Sequence, residues 1–376
     1  MPFSPDHWAL VSLVNLAILL TMAIDRSFET AAVVRALPAI RLILLVAYGA
    51  AALSKWNTTF LDPVTSCANF IAESASLGLT GPLAASPLIS LGAALTETAV
   101  FVLLATPWAR SWGVLVGLVF HFSLSASPVM MVGDFTSTVY ALFLLFLRPD
   151  VTVQVLDRLS GWAARSRIVR DARRRPPVTA VLALLVLAGA GHLSLGAAMA
   201  TLYVFVQVYF VAVLLATAMT LRRTCSTAPL GRVSWIHVPV LALAVLWALN
   251  PYLGLRTTGS FTMFSNLRTE GPQPNHLFMP SWRLTTWQDD MVTLDASSDT
   301  AARTGVDGEV TLPMVSLRRL ATVDPSMQVS GTIDGRSVTW GPGPDQELLE
   351  PLPWWQYKLF FLRPVESDGR PYCSSS

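Results

Sequence analysis

Long apolar stretches alternate with short polar ones over the first 255 residues of the chain. A membrane-spanning helix needs about 20 mostly apolar residues, because the hydrocarbon core of a bilayer is about 30 Å thick. Seven or eight stretches approach this length and predict spanning helices. They are His7 to Ala23, Leu37 to Leu53, Leu88 to Thr106, Trp112 to Ser127, Met130 to Leu147, Val178 to Ala197, Leu202 to Leu221 and Ile236 to Leu253.

The fourth and fifth stretches are short and form one apolar tract, interrupted only at Ser127-Pro128 and Gly133-Asp134. The interruption is compatible with a tight turn or with a re-entrant dip into the membrane. No basic residue precedes the first stretch and no small-residue cleavage site follows it, so we expect a retained span rather than a signal peptide. The expected fold of residues 1–255 is an all-α polytopic membrane bundle.

Basic residues in the connecting segments predict the orientation, because such residues stay preferentially on the cytoplasmic side. The segment 148–177 holds eight arginines and three aspartates, which places it in the cytoplasm. Alternation from there places the other arginine-bearing segments between spans inside, and among the outside segments between spans only Lys55 is basic. The N-terminus, residues 55–86, the turn near Asp134 and everything after Leu253 are then expected to be extracytoplasmic.

Composition supports a multi-pass protein of the cell membrane. Apolar residues make up 53% of the chain and charged residues 13%, whereas an ordinary soluble domain is roughly 25% charged. A formal net charge of +2 is too small to indicate a nucleic-acid partner. We interpret the arginine-rich segment as an anchor on anionic lipid, which makes the lipid bilayer the expected partner.

After Leu253 the hydropathy falls and a different pattern begins. Residues 312–321 have the apolar spacing of a helix, and four other pieces resemble strands. Those pieces are Met291 to Asp295, Met327 to Gly331, Ser337 to Trp340 and Tyr357 to Arg363. We therefore predict that residues 256–376 form a small extracytoplasmic α+β domain.

The three cysteines fall on both sides of the predicted membrane. Cys67 and Cys373 lie in outside segments, whereas Cys225 lies in an inside segment. Because disulfides persist in oxidising compartments, a bond between Cys67 and Cys373 is one hypothesis, and two free thiols are the other.

Two ionisable residues fall in the middle of predicted spans, where a charge costs several kcal/mol. Glu97 lies in the third span and His121 in the fourth, at similar depth on antiparallel helices. They can pair, and pairing would offset much of the burial cost. A structural hydrogen bond and a catalytic role both remain open for this pair.

Lys55 stands out at the outer end of the second span. Only two of the 26 basic residues are lysine, the other being Lys358. Arginine does not deprotonate in proteins, whereas a lysine removed from water can lose its proton and act as a base. The alternative is an interfacial anchor that happens to be lysine. His7 begins the first span on the same side, and no Cys or His spacing typical of a metal site is present.

Four short elements of the membrane part carry a resemblance to a known family. They are Asp6-His-Trp-Ala-Leu10, Tyr48-Gly-Ala-Ala-Ala-Leu-Ser-Lys55-Trp-Asn57, the run from His121-Phe to Gly133-Asp-Phe135, and the run from Leu253-Gly-Leu-Arg to Asn275-His276. In this order they resemble elements of the vitamin K-dependent gamma-carboxylase family, whose bacterial members are known as HTTM proteins.

The resemblance implies a chemistry of the carbon-carbon lyase class. Lys55 matches the base that deprotonates a reduced membrane quinone of the vitamin K hydroquinone type. Oxygen then yields a strong base that removes a proton from a glutamate of an exported peptide or protein, and carbon dioxide adds to the carbanion. His7 matches the residue that stabilises the carbanion, and Glu97, His121 and Asn57 are expected to be supporting polar residues. No metal is implied.

The chain also departs from the family pattern. It begins almost at the histidine element, so we expect it to lack the family's preceding N-terminal spans. Asp6 stands at an asparagine, Ser54 at a lysine and Asn57 at an aspartate, and the lumenal region shrinks to one small domain. These departures leave a second function open, that of a non-catalytic membrane scaffold or assembly factor that presents an external domain.

Overall fold

The computed structural model of the chain describes residues 6–75, 85–126, 132–165, 195–223, 228–271, 274–295, 298–299, 310–344 and 346–366. Within these ranges a helical bundle is followed by a small antiparallel sheet. The helices of the bundle are α1 (Asp6–Asp25), α2 (Thr30–Ser54), α3 (Thr58–Leu61), α4 (Cys67–Ala75), α5 (Pro87–Ala105), α6 (Arg110–Ser125), α7 (Gly133–Leu144), α8 (Pro149–Arg165), α9 (Leu195–Leu221) and α10 (Val238–Leu249).

Among the described residues, four helices are long and apolar enough to cross a membrane: α1, α2, α5 and the part of α9 from Ala200 to Leu221. The expected count of seven or eight spans is not confirmed. The fourth, fifth and eighth predicted stretches form α6, α7 and α10, which have 16, 12 and 12 residues. The sixth, residues 178–197, lies almost wholly outside the described residues.

Small residues set how closely the helices of the bundle approach. A Cβ atom added to Gly117 of α6 would lie 2.5 Å from the ring of Phe143 in α7. A Cβ atom added to Gly113, one turn earlier, would lie 2.8 Å from the backbone nitrogen of Leu104 in α5. These glycines let the helix backbones come together, as small residues do in membrane bundles.

One end of the bundle, called here the arginine end, is fixed by buried polar side chains. Arg110 at the start of α6 donates from Nε to the carbonyl of Leu104 (2.9 Å) and from Nη1 to the carbonyl of Ala228 (2.5 Å). Near the start of α10, Nε2 of His237 lies 2.8 Å from Oγ1 of Thr21 in α1. The opposite end carries the start of α1 and the end of α2, and is called the Lys55 end.

The described residues between 251 and 289 form a connecting segment that packs onto the Lys55 end, and they contain no regular helix or strand. Its Phe261 and Met263 donate backbone hydrogen bonds to Asp6 at the start of α1. Leu277 donates to the carbonyl of Trp56, just after α2 (2.9 Å). These contacts cross the predicted division at residue 255.

The C-terminal part forms a five-stranded antiparallel sheet in the order β4-β3-β1-β2-β5. In β1, Val292 is paired with Leu312 on one side and Ile333 on the other. The elements are β1 (Met291–Leu294), β2 (Val310–Pro313), α11 (Met314–Val323), β3 (Val329–Ile333), β4 (Arg336–Trp340), α12 (Trp354–Leu359) and β5 (Val365–Glu366).

Three of the predicted strands and the predicted helix are found within a few residues of their expected positions, as β1, β3, β4 and α11. The prediction of a strand over Tyr357 to Arg363 is wrong, because α12 covers its first part. Pro353 provides an extended residue before the helix, and Tyr357 stacks on the Arg319 guanidinium, 4.5 Å from the ring centroid. This packing overrides the strand preference of the aromatic residues.

Candidate functional site

One face of α2 forms the wall of a cavity at the Lys55 end. Its residues recur at helical spacing, so their side chains point the same way. The two alanines leave space beside the larger side chains. They are Leu44, Ala47, Tyr48, Ala51 and Lys55.

The remaining wall is mostly apolar and comes from α1, from helices α3 to α7 and from the connecting segment. The space between these walls is about 700 Å³ when the open solvent at the mouth is counted with it. A concave apolar wall with a few polar groups suits a ligand with an apolar body and one polar end. The other lining residues are Asp6, Leu10, Phe60, Ala68, Ile71, Ala93, Glu97, Phe120, His121, Leu124, Phe135, Val139, Phe261, Met263 and Phe264.

Lys55 and Glu97 form a buried ion pair in this wall. Nζ of Lys55 lies 2.7 Å from Oε2 of Glu97, and the two side chains are 5% and 9% exposed. Nζ also donates to the carbonyl of Met263 at 3.3 Å. Lys55 directly follows the last residue of α2, where the partial negative charge of the helix C-terminus favours a cation.

His121 lines the same cavity, but its side chain contacts Tyr48 while Glu97 contacts Lys55, so the suggested pair of Glu97 and His121 is not formed. Its Nε2 makes a short contact with the hydroxyl of Tyr48. Tyr48 and Lys55 lie seven positions apart on one face of α2. Lys55 is the partner of Glu97, and Tyr48 is the partner of His121. Nδ1 of His121 is buried without a hydrogen-bond partner among the described residues.

His7 is not among the described residues that line the cavity. Its Nε2 lies 3.1 Å from Oδ2 of Asp134 at the start of α7, and its ring packs edge-on against Phe135, with 6.4 Å between centroids. Phe135 lines the cavity and lies 5.4 Å from the ring of His121. His7 therefore lies behind an aromatic part of the wall.

Asp6, the neighbour of His7, is a wall residue that was not among the residues predicted for the site. Its two carboxylate oxygens accept backbone hydrogen bonds from Phe261 (2.7 Å) and Met263 (3.0 Å). Asp6 thus fixes the connecting segment at the point where that segment closes the cavity. The signal in the sequence was an acidic residue at the apolar start of a span.

Asn57, predicted as a supporting polar residue of the site, makes structural hydrogen bonds, and a part in the chemistry stays a prediction. Its Oδ1 accepts from the backbone of Phe60 and caps α3 (2.8 Å). Its Nδ2 donates to the carbonyls of Ser54 (2.8 Å) and Ser265 (2.6 Å). Asn57 therefore joins the end of α2 to the connecting segment beside Lys55.

The connecting segment holds a strained backbone where it meets the cavity. The φ angles of Phe261 and Phe264 are +61° and +53°, in the left-handed region that costs bulky residues about 1–3 kcal/mol each. Both side chains are nearly fully buried. The hydrogen bonds that Asp6 accepts and Asn57 donates hold the segment in this conformation.

A buried arginine supports the segment from the sheet side. Nη2 of Arg363, next to β5, donates to the carbonyl of Thr262 at 2.8 Å. Burial lowers the pKa of Arg363, while the carboxylates of Asp6 and Glu270 raise it. The guanidinium thus offsets the charge of carboxylates that are themselves almost fully buried.

Cys67 at the start of α4 is disulfide-bonded. Its backbone nitrogen donates to Oδ1 of Asn266 in the connecting segment at 2.8 Å. Cys225 and Cys373 both lie outside the described residues, so the pairing of Cys67 with Cys373 stays a prediction.

Comparisons with protein-family models, with curated proteins and with solved structures found no match. Within the part of the chain that the structure describes, no group of three or more His, Cys, Asp or Glu side chains is placed to hold a metal ion.

Proposed function

We propose that this protein is a membrane enzyme that removes a proton from a lipid-soluble substrate in the cavity, with Lys55 as the base. The observation that carries the proposal is the 2.7 Å approach of Lys55 to Glu97 in an apolar wall. Two opposite charges in such surroundings are costly because they are removed from water. Transfer of a single proton from one group to the other makes both groups neutral.

The pair allows Lys55 to become a base without solvent. The proton on Nζ moves to Oε2 of Glu97, which leaves a neutral amine and a neutral carboxylic acid. The amine then takes the substrate proton and becomes an ammonium group again, while the substrate keeps the electron pair as an anion. The carbonyl of Met263 and the end of α2 stabilise the ammonium form.

The side chains that line the cavity are chemically suited to a reduced quinone. The rings of Phe60, Phe120, Phe135 and Phe264 provide aromatic surface for a flat apolar ligand. The unpartnered Nδ1 of His121 is a hydrogen-bonding site for a ligand hydroxyl. When bound, a hydroquinone supplies an acidic phenol and reducing equivalents.

The family resemblance extends the proposal to a carboxylation. Oxygen and carbon dioxide are then co-substrates, and a glutamate of an exported peptide is the acceptor. The arginine-rich segment 148–177 supports a cavity on the extracytoplasmic side. His7 lies behind Phe135, and the proposal therefore assigns it to positioning Asp134 and that ring rather than to the carbanion.

Scaffolding is the second candidate, and the contacts of the connecting segment favour it. Lys55 donates to Met263, Asn57 to Ser265, and Asp6 accepts from Phe261. In this view the ion pair serves only to dock the segment that leads into the sheet.

Incorporation of labelled carbon dioxide into a glutamate-containing peptide tests the proposal in its specific form. Purified protein in phosphatidylcholine proteoliposomes is supplied with vitamin K hydroquinone, oxygen and the peptide. Incorporation above that of protein-free liposomes supports a carboxylase. Its absence together with quinol-dependent oxygen uptake supports proton abstraction without carboxylation, and the absence of both favours the scaffold.

A further inference from the structure

Exposed aromatic and aliphatic side chains form a surface on the connecting segment and α12. The surface, called here the aromatic collar, consists of Phe278, Trp282, Leu284, Trp287, Trp354 and Trp355. Trp354 is 79% exposed and Phe278 67%. Apolar surface concentrated in this way indicates an interaction site rather than a face that stays in water.

Backbone hydrogen bonds place the collar beside the ends of two apolar helices. Trp282 donates to the carbonyl of Tyr252 (2.7 Å) and Leu284 to that of Leu253 (3.0 Å), just after α10. The ring of Phe278 lies 6.2 Å from that of Trp56, which follows α2. The collar is therefore continuous with the surface that the bundle presents to lipid.

The short helix α12 extends the collar. The ring of Trp355 lies 6.2 Å from that of Trp287, and Phe361, just after α12, donates to the carbonyl of Leu255 at 3.2 Å. Trp354 and Lys358 are both exposed and lie one helical turn apart. A tryptophan and a cation on one exposed face are typical of the headgroup region of a membrane.

Other exposed tryptophans mark the two ends of the bundle. Trp8 lies at the Lys55 end, near the start of α1. Trp108, Trp112 and Trp235 lie at the arginine end, at the α5–α6 turn and just before α10. Tryptophan is enriched at both membrane interfaces, so the collar continues the belt that Trp8 begins.

We propose that the aromatic collar inserts into the headgroup region of the leaflet at the Lys55 end and holds the antiparallel sheet against the membrane surface. The occupant of the surface is lipid. This inference rests on the exposed side chains and their position, and it does not depend on the proposed chemistry of Lys55.

Tryptophan quenching by brominated lipid tests this arrangement. The protein is placed in nanodiscs of phosphatidylcholine brominated either near the headgroup end or near the far end of its acyl chains. The Trp282→Phe/Trp354→Phe variant is compared with wild type, and Trp340→Phe is the control because Trp340 is buried in the sheet. The emission of Trp282 and Trp354 is the difference between wild type and the double variant. We expect the shallow bromine to quench this difference about twofold more strongly than the deep bromine, since interfacial side chains lie about 5–10 Å deep.

Iodide quenches the emission of tryptophans that face water and therefore tests the opposite arrangement. If iodide quenches the emission of Trp282 and Trp354 and neither brominated lipid does, the collar faces water and the inference is overturned. A surface for a soluble protein partner would give that result. If the double variant does not fold, iodide quenching of the wild-type protein alone still tests the inference. Iodide access to most of the exposed tryptophans would contradict insertion.

Discussion

Lys55 at the end of α2 and Glu97 within α5 meet through side-chain atoms 2.7 Å apart, and both side chains are less than one tenth exposed. Removing one partner of a buried ion pair leaves an uncompensated charge and costs about 3–5 kcal/mol, whereas replacing both with apolar residues is often neutral or stabilising. Each charge is therefore needed to offset the burial cost of the other.

A double-mutant cycle on this pair should be strongly non-additive. We expect Lys55→Met and Glu97→Leu each to lower stability by about 3–5 kcal/mol, and the double variant to lose less than either single variant. The apparent Tm in detergent micelles measures this. Additive losses would show that the two charges do not depend on each other, and would contradict the geometry of the site.

Close packing between α6 and α7 gives a second prediction. Gly117→Ala places a Cβ atom 2.5 Å from the Phe143 ring, and overpacking of this kind costs about 1–3 kcal/mol. Gly92→Ala in α5 is the matched control, because a Cβ atom there meets no heavy atom within 4 Å. Thermal unfolding should show a lower Tm for Gly117→Ala and an unchanged or higher Tm for Gly92→Ala. Equal values would contradict the helix packing described.

His276 should make stability depend on pH. Its Nδ1 accepts from the backbone nitrogens of Phe278 (3.0 Å) and Met279 (2.9 Å), so it carries no proton, and its Nε2 donates to the carbonyl of Leu53 (2.9 Å). Burial lowers the pKa of His276, and the hydrogen bond to Leu53 acts in the opposite direction. Below the ordinary value of about 6.5, the unfolded chain therefore binds more protons than the folded chain.

Stability from this group is present above about pH 6.5 and is lost as the pH falls. We expect the Tm of wild type to drop between about pH 7.5 and 5.5, and His276→Gln to show a smaller drop. The difference between the two profiles isolates this residue from the other histidines. Parallel profiles would show that His276 keeps its ordinary pKa in the folded protein.

The topology makes a prediction about the cysteines. Peptide mapping without reduction should recover a peptide of Cys67 linked to one of Cys373, and Cys225 as a free thiol. The reason is that only the first two share the oxidising side of the predicted membrane. A link between Cys67 and Cys225 would overturn the predicted orientation.

Sequence patterns located the polar residues of the site but not their partners. Lys55, Glu97 and His121 could be selected because ionisable groups in apolar stretches are costly and must face protein or a cavity. Depth in the membrane then suggested Glu97 and His121 as a pair. Depth gives only the position of a residue along the membrane normal. The rotation of each helix about its axis depends on packing such as that of Gly117 on Phe143, and the hydrophobic pattern does not predict that packing.

The conformation of the connecting segment could not be predicted from the sequence, for a different reason. Residues 256–266 are rich in Ser and Thr and show no helical or strand period, so local sequence gives them no structure. Their conformation depends on Asp6 and Asn57, about 200 or more positions away in the chain. Such non-local hydrogen bonds also impose the positive φ of Phe261, which its side chain disfavours.

Quinol-dependent oxygen uptake by proteoliposomes tests the role of Lys55 most directly. Wild type is compared with Lys55→Arg, which keeps the charge but does not deprotonate, and with Lys358→Arg, the same exchange at the exposed second lysine. We expect uptake by wild type and Lys358→Arg above the protein-free rate, and a loss of at least about tenfold in Lys55→Arg, equivalent to roughly 1.4 kcal/mol in the barrier. Equal rates for Lys55→Arg and wild type, or no uptake by wild type, would contradict a base at this position.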